Sequence, residues 1–195
     1  MTRPARERWQ GDGPARPDIR PLVDAAREGD AAAWEELYVC LYPRLLGYAR
    51  RELDHESARD AVSEAMVRAA TALSRFSWRG AGFEAWVFRI LRHVLVDVHR
   101  GSGRQRRLEA RSHREVPGPE ADDALIADEE ARLVRSAFAS LGPADQELLH
   151  LRVVAGLSAE EVGHILGKRP GAVRMAQSRS LERLRAALGE EGQWA

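Results

Sequence analysis

Apolar residues between positions 21 and 100 recur at helical spacing. They fall three or four residues apart, the period that brings side chains onto one face of an α-helix. After Ser57 this inward stripe is predicted to be Val62, Ala65, Met66, Ala69, Leu73 and Phe76. The same spacing turns a second set outward, namely Asp60, Ser63, Glu64, Val67, Arg68 and Thr71. The pattern therefore predicts a compact helical bundle in which Val67 is an exposed apolar residue among charges.

Caps and breaks divide this bundle into helices. Asp30 is placed to cap one helix, within which Pro43 predicts a kink or a break. Ser57 is predicted to cap the next helix, with Asp60 at its third position. Residues 77–82 interrupt the pattern, because they include two glycines. Helical spacing then resumes with Phe83, Trp86, Val87, Ile90, Val94 and Val98.

Residues 157–188 predict two short helices joined by a tight turn. Ser158 and Glu161 have the spacing of a capping box, so the first helix begins at this point. Gly167 is placed to end it in the left-handed conformation, and Pro170 suits the first turn of the second helix. The segment therefore has the pattern of a DNA-binding helix-turn-helix. Two further helices are predicted before it, over residues 125–140 and from Pro143 to near Gly156.

The second helix of the hairpin has an apolar side and a polar side. Helical spacing directs toward a core Val173, Ala176, Ser180, Leu184 and Leu188. Arg174, Gln177 and Ser178 are assigned to the opposite side, from which they could reach base edges. Residues 168–185 hold six Lys or Arg against one acid, in a chain of zero net charge. This local excess favours nucleic-acid binding over the alternative of a helical hairpin with a solvated charged face.

Composition places limits on the remaining possibilities. No apolar run approaches the length that spans a bilayer, and the N-terminus lacks the apolar middle region of a signal peptide. We therefore expect a cytoplasmic protein that does not contact a membrane. The single cysteine, Cys40, excludes an internal disulfide and is expected to fill space in the core.

Charge is sorted into blocks along the chain. Residues 89–114 hold eight arginines against two acids, and residues 115–130 hold seven acids and no base. Residues 1–17 are interpreted as a disordered tail, and residues 101–123, with three Gly and two Pro, as a flexible linker. The acidic block is either an extended solvated tether or a surface that lies in a channel which otherwise holds nucleic acid.

This order of segments resembles the sigma-70 family of RNA polymerase sigma factors, specifically the small extracytoplasmic-function (ECF) type. The resemblance rests on ARDAVSEAMVRAATALSRF at residues 58–76, on GFEAWVFRILRHVLVDVHR at 82–100, and on LGPADQELLHLRVVAGLSAEEVGHILGKRPGAVRMAQSRSLERL at 141–184. It implies an all-α fold of two small helical domains joined by the linker. Residues 18–100 would be a region 2-like bundle, and residues 124–190 a region 4-like helix-turn-helix.

The resemblance also implies function and partners. The protein would direct promoter recognition, DNA melting and transcription initiation, with core RNA polymerase and promoter DNA as partners. An anti-sigma factor is a further partner that the resemblance leaves open. No cofactor, metal or catalytic residue is implied.

The resemblance implies three sets of site residues. Those that would bind core polymerase are Asp60, Ser63, Glu64, Val67 and Arg68. Those that would bind the minus-ten element are Trp78, Arg79 and Phe83 as stacking groups, and Arg89, Arg92, His93 and Arg100 along the duplex, with Trp86 assigned to the core. Those that would bind the minus-thirty-five element are Lys168, Arg169, Arg174, Gln177, Ser178 and Arg179. The chain departs from the family pattern at Ser63, Ala70 and Arg169.

Two other interpretations remain open at this point. The chain could be another helix-turn-helix regulator, whose N-terminal helices sense a signal or dimerise, although this does not explain the aromatic and arginine loop at residues 77–82. It could also be an enzyme with a metal site at His93, Asp97 and His99. His93 and Asp97 lie one helical turn apart, but His99 is rotated away from both, which argues against a shared ligand set.

Overall fold

The computed structural model describes residues 18–78, 80–109 and 129–191. These residues are helical and contain no β-strand, which confirms the expected all-α class. The chain divides into two compact units, to which residues 18–109 and 129–191 respectively belong. The predicted tail at residues 1–17 and the predicted linker beyond Glu109 lie outside the described residues.

In the first unit, the residues that the structure describes form four α-helices. They are α1 (Arg20–Arg27), α2 (Ala31–Ala49), α3 (His55–Ala72) and α4 (Gly82–Glu109), with a short 3-10 turn at Leu73–Arg75 after α3. Helix α3 packs between α2 and α4, and α1 packs against α2. The whole predicted α3 stripe is buried, from Val62 to Phe76, and joins Leu37, Leu41 and Leu91 in the core. The periodicity of the sequence therefore located this core correctly.

The start of α3 differs from the sequence-based expectation. Asp54, and not Ser57, is its N-cap, and the helix begins at His55. The Asp54 carboxylate accepts from the backbone N–H of Ser57 at 2.9 Å and from its hydroxyl at 2.7 Å. These hydrogen bonds favour the charged carboxylate, so the pKa of Asp54 is lowered. Ser57 is thus the donor in this cap and lies inside the helix.

Two expectations concern α2: a cap at Asp30, which the structure confirms, and a kink or break at Pro43, where no break is found. Asp30 caps α2 as predicted, by accepting from the N–H groups of Ala32 and Ala33. The helix does not break at Pro43 but continues through it to Ala49. Pro43 lies on the exposed side of α2, where water can solvate the carbonyl that the missing N–H leaves without a partner.

Helix α4 continues to Glu109 and so extends into the segment predicted as linker from residue 101. Residues 104–109 are Arg, Gln, Arg, Arg, Leu and Glu, all of which favour helix, whereas the glycines that suggested a linker are at Gly101 and Gly103. Local helix propensity thus outweighs two isolated glycines.

Within residues 129–191, the second unit also contains four α-helices. They are α5 (Glu129–Ala139), α6 (Pro143–Leu149), α7 (Ala159–Leu166) and α8 (Pro170–Glu191). A single π-helical turn, His150–Val154, continues α6. Helices α5, α6 and α7 all pack against α8, which is therefore the axis of the unit. The start of α5 cannot be compared with the predicted one, because residues 124–128 lie outside the described residues.

The turn between α7 and α8 has the predicted construction. Ser158 and Glu161 form a capping box, in which each side chain accepts from the other residue's backbone N–H. Gly167 ends α7 with φ 66°, a left-handed conformation that favours glycine. Gly163 allows a close approach, because a Cβ atom there would lie 2.5 Å from the Lys168 carbonyl oxygen. These features fix the direction in which α8 leaves the turn.

Candidate nucleic-acid interface

The outward face of α8 is basic and begins directly after the turn. Among its exposed side chains, those in the first half of the helix include Arg174, Met175, Ser178 and Arg179. Lys168 and Arg169, in the turn itself, are also exposed. Five of the six residues predicted for minus-thirty-five binding are therefore exposed, in the turn and in the first half of α8.

Gln177 is the exception, and its predicted outward position is wrong. Its side chain is only 5% exposed. Helical spacing places it on the same side as the buried Val173 and Ser180, which lie four residues before it and three after it. Its amide oxygen accepts a hydrogen bond from Nε of Arg152 at 2.7 Å. Its polar side chain suggested a contact with DNA bases, but its hydrogen-bond partner is the buried Arg152.

Met175 is a surface residue that sequence reasoning missed. It is 59% exposed, in the first half of α8 between the predicted DNA-binding residues. A methionine in an amphipathic helix is usually assigned to the core, so its residue type gave no signal. Its position indicated exposure, because Val173 points inward and Met175 is two residues, or roughly 200°, further around the helix.

A second polar contact holds α8 against α6. The hydroxyl of Ser180, which is fully buried, donates to Oδ1 of Asp145 at 2.7 Å. Arg183 pairs with the other oxygen of the same carboxylate. The hydrogen bond from Ser180, and then the pairing with Arg183, lower the pKa of Asp145. The inward side of α8 thus has two polar attachments, at Gln177 and at Ser180.

In the first unit, the predicted stacking role of Phe83 is contradicted. Phe83 is only 1% exposed, and its ring lies 5.2 Å from that of Phe76 and 5.5 Å from that of Trp86. A nucleotide base cannot reach a ring that is enclosed in this way. Trp86, assigned to the core, is half-buried. Phe83, the first apolar residue of α4, is therefore part of the core of the first unit. Amphipathic spacing places it there when the helix starts at Gly82.

Trp78 is half-buried and is held by α1. Its indole Nε1 donates to Oδ1 of Asp24 at 2.9 Å. The Arg20 guanidinium lies over its ring, 5.0 Å from the centroid, and the Phe76 ring meets it edge to face at 5.1 Å. Arg79, the other predicted stacking residue in this loop, lies outside the described residues.

The predicted duplex contacts share one side of α4. Arg89, His93 and Arg100 are exposed, and Arg92 is half-buried. Their spacing of four and seven residues keeps Arg89, His93 and Arg100 on one helical face. The structure therefore places Arg89, His93 and Arg100 in a single stripe on α4.

The predicted polymerase-binding residues are all exposed on α3. Asp60, Ser63, Glu64, Val67 and Arg68 form this surface, and Val67 is 62% exposed. Arg68 pairs with Glu64 at 2.7 Å and with Asp97 of α4 at 3.6 Å, and these partners raise its pKa. The outward position of the surface is confirmed, including its single apolar residue.

Two of the three residues considered as a metal site contact different partners. Asp97 pairs with Arg68. His99 Nε2 lies 2.9 Å from a carboxylate oxygen of Glu52, in the connection between α2 and α3. Within the described residues, no group of three or more His, Cys, Asp or Glu is arranged to hold a metal ion.

Two family models match the chain. The model described as Sigma-70 region 2 matches residues 37–105, and the model described as Sigma-70, region 4 matches residues 137–186. The ECF RNA polymerase sigma factor ShbA of Streptomyces griseus is 39% identical over 180 residues, covering 86% of this chain and 94% of ShbA. The chain belongs to the sigma-70 family of ECF RNA polymerase sigma factors.

Other relatives and structures agree with this sigma-factor assignment. SigD of Mycobacterium tuberculosis, also an ECF RNA polymerase sigma factor, is 35% identical over 181 residues, covering 89% of this chain and 85% of SigD. A solved structure of CnrH in complex with the cytosolic domain of CnrY matches with a TM-score of 0.64 and 24% identity, over 88% of this chain and 97% of the other. The sigma factor RpoE of Bartonella quintana, solved with the anti-sigma factor NepR, gives 0.62 and 22%, over 80% and 96%. These structures support the fold.

As a sigma factor, the protein functions in promoter recognition and transcription initiation, with core RNA polymerase and promoter DNA as partners. The region 2 match covers most of α2, all of α3 and α4 as far as residue 105, so the alternative of a regulator with a sensing or dimerising N-terminal domain is displaced. None of the helices described in this sigma factor is long and apolar enough to span a membrane.

Proposed function

We propose that the two units of this sigma factor read two separate promoter elements. Residues 18–109 would bind core polymerase and the minus-ten element, and residues 124–190 would bind the minus-thirty-five element. The linker would follow α4 and end at residue 123. The observation that carries the proposal is the exposed basic face of α8, because its inward face is fixed by packing and its outward face begins directly at a capped turn. A helix presented in this way can enter a major groove.

On this face, Arg174, Met175 and Ser178 are proposed as base readers. Arginine can donate to both acceptors of a guanine, and an apolar side chain can contact the methyl group of a thymine. Lys168, Arg169 and Arg179 are proposed as phosphate contacts, which position the helix without reading sequence. Gln177 is excluded from this set because it is buried.

In the first unit, Trp78 is proposed as the stacking surface for an unstacked base of the minus-ten element. Its ring is half-buried, whereas that of Phe83 is enclosed. Arg79 would add positive charge in the same loop. The exposed stripe on α4, with Arg89, Arg92, His93 and Arg100, would follow the phosphates of the adjacent duplex.

The exposed surface of α3 is proposed as the contact with core polymerase. Its mixture of paired charges around the apolar Val67 has the composition of a protein interface rather than of a nucleic-acid site. The residues that would carry it are Asp60, Ser63, Glu64, Val67 and Arg68.

The proposal extends to catalysis, location and one further partner of the protein. The protein would act without catalytic activity or a cofactor of its own, because the chemistry of RNA synthesis resides in the polymerase. It would act in the cytoplasm, where polymerase and promoter DNA are found. An anti-sigma factor is proposed as an additional partner, since RpoE, a protein of the same fold, is solved with one.

Run-off transcription with purified core polymerase on a library of genomic fragments tests the central proposal. Adding the protein should produce discrete new transcripts whose start sites share two upstream elements. The variant Arg174→Ala should reduce transcription most where the upstream element is intact, and Arg185→Ala, an exposed arginine at the far end of α8, serves as its control. Identical transcripts with and without the protein would overturn the proposal.

A further inference from the structure

Helix α1 contacts the loop that carries Trp78. The region 2 family match begins at residue 37, so α1 lies before the matched segment. Asp24 accepts the indole N–H of Trp78 at 2.9 Å, across a separation of 54 residues in sequence. From the same helix, Arg20 lies over the indole ring at 5.0 Å. Two side chains on one helix thus converge on a single aromatic residue of the minus-ten loop.

These contacts determine how the indole is oriented. An indole has one hydrogen-bond donor, so a partner at Nε1 selects the rotamers that direct that edge toward α1. Asp24 is itself held by Arg27, whose Nη1 lies 3.7 Å from the same oxygen. Phe76 meets the ring at 80°, and this contact restricts it from a third direction. The ring is therefore ordered while it remains half-buried, so part of it is still accessible.

We propose that Asp24 and Arg20 are positioning residues that hold the Trp78 indole ready to receive an unstacked promoter base, which makes α1 part of the minus-ten reader. The inference rests on the stacking role proposed above for Trp78. Ordering the side chain in the free protein removes an entropy loss that base capture would otherwise incur. Arg20 also supplies a cation beside the ring, which suits a site that receives an anionic strand.

The test measures the rate of open-complex formation by holoenzyme on a duplex promoter, together with affinity for core polymerase. Asp24→Ala should slow open-complex formation about three- to tenfold, the effect of losing one hydrogen bond, with core binding unchanged. Asp24→Asn retains an oxygen that can accept from the indole and should restore most of the rate. The control is Glu28→Ala, which removes an exposed carboxylate at the end of the same helix and should have no effect.

A double-mutant cycle separates positioning from other effects of Asp24. Trp78→Phe keeps an aromatic ring but cannot donate a hydrogen bond, so it should slow the reaction about as much as Asp24→Ala does. Adding Asp24→Ala in the W78F background should then cause no further loss. Equal additional slowing in that background, or no slowing by Asp24→Ala alone, would overturn the inference.

Failure of the underlying function gives a different result. If Trp78→Ala leaves the rate of open-complex formation unchanged, Trp78 does not capture a base, and the proposed role of the loop is wrong. If Trp78→Ala slows the reaction while Asp24→Ala does not, the loop keeps its role and only the contribution of α1 is refuted.

Discussion

Arg152 is an arginine enclosed in the second unit, and its guanidinium joins two segments to the π-helical turn from which it comes. Nε donates to the Gln177 side chain of α8 at 2.7 Å, and Nη1 donates to the backbone carbonyl of Leu157, just before α7. A buried charge is stable only while its donors have partners. One residue therefore fixes both helices of the helix-turn-helix to the preceding helix.

At the residue scale, Gln177→Ala should destabilise the second unit by about 1 to 3 kcal/mol, since it removes the side-chain oxygen that accepts a hydrogen bond from the buried Arg152. Ser178→Ala, at the exposed neighbouring position, should change stability by less than about 0.5 kcal/mol. Chemical denaturation of both variants measures the difference. Unchanged stability together with an altered base preference in Gln177→Ala would restore Gln177 as a base reader.

Met175 leads to a residue-scale prediction about the DNA. If its side chain contacts a thymine methyl group, replacing that thymine by uracil should weaken binding of the wild-type protein by about 0.8 kcal/mol, the value of one buried carbon. Met175→Ala should be insensitive to the same replacement. A scan of uracil substitutions through the minus-thirty-five element, read by holoenzyme binding, tests this. Equal sensitivity of both proteins at every position would show that Met175 does not read a methyl group.

At the element scale, α8 is attached to α6 by a charge as well as by apolar packing. Asp145 accepts from the buried hydroxyl of Ser180 and pairs with Arg183. Ser180 lies on the buried side of α8, and Arg183 lies on its exposed side. The Asp145 carboxylate therefore contacts both sides of α8. The contacts between α6 and α8 therefore include one ionisable group, the Asp145 carboxylate.

Asp145 should make the second unit sensitive to acid. Its folded pKa lies below the ordinary value of 3.8, because Ser180 and Arg183 stabilise the charged form. Its contribution to stability is complete above that ordinary value and is lost as the pH falls through the folded pKa. Asp145→Asn should therefore lose less stability than the wild type on acidification below about pH 5. The control, Glu160→Gln at an exposed position of α7, should retain the wild-type slope in acid denaturation.

The elements differ in how readily they could be predicted. The α3 stripe and the capping box of α7 depend on local spacing, and both were predicted from sequence. Local spacing already placed Gln177 on the side of Val173 and Ser180, but its polar character favoured an outward assignment. Its hydrogen-bond partner, Arg152, lies 25 residues away, and no local pattern could show that contact. Phe83 was misassigned for a related reason, because its residue type suits stacking on a base, while the start of α4 places it inside. Polar or aromatic character alone does not decide the side on which a residue lies.

At the scale of the whole molecule, the chain consists of two compact units, each with its own apolar core. Phe76, Phe83 and Phe88 contribute to the core of the first, and Leu148, Leu151 and Val162 to that of the second. Separate cores allow separate stability, which suits a protein whose two parts would contact different promoter elements.

Calorimetry should therefore resolve two unfolding transitions. Phe83→Ala should lower only the transition of the first unit, by about 3 to 5 kcal/mol in stability, because it leaves a cavity among Phe76 and Trp86. Gln177→Ala should lower only the transition of the second. A single transition that both substitutions shift together would show that the units unfold as one.

The division of α8 into an anchored side and an exposed side also has an evolutionary consequence. Gln177 and Ser180 hold the helix, while Arg174, Met175 and Ser178 extend from it without supporting the core. Substitutions at those three positions can accumulate after gene duplication with little effect on folding. A duplicated copy can then acquire a new set of target genes while it still uses the same polymerase. The same separation makes these three positions the natural choice for engineering a sigma factor that responds to a synthetic promoter.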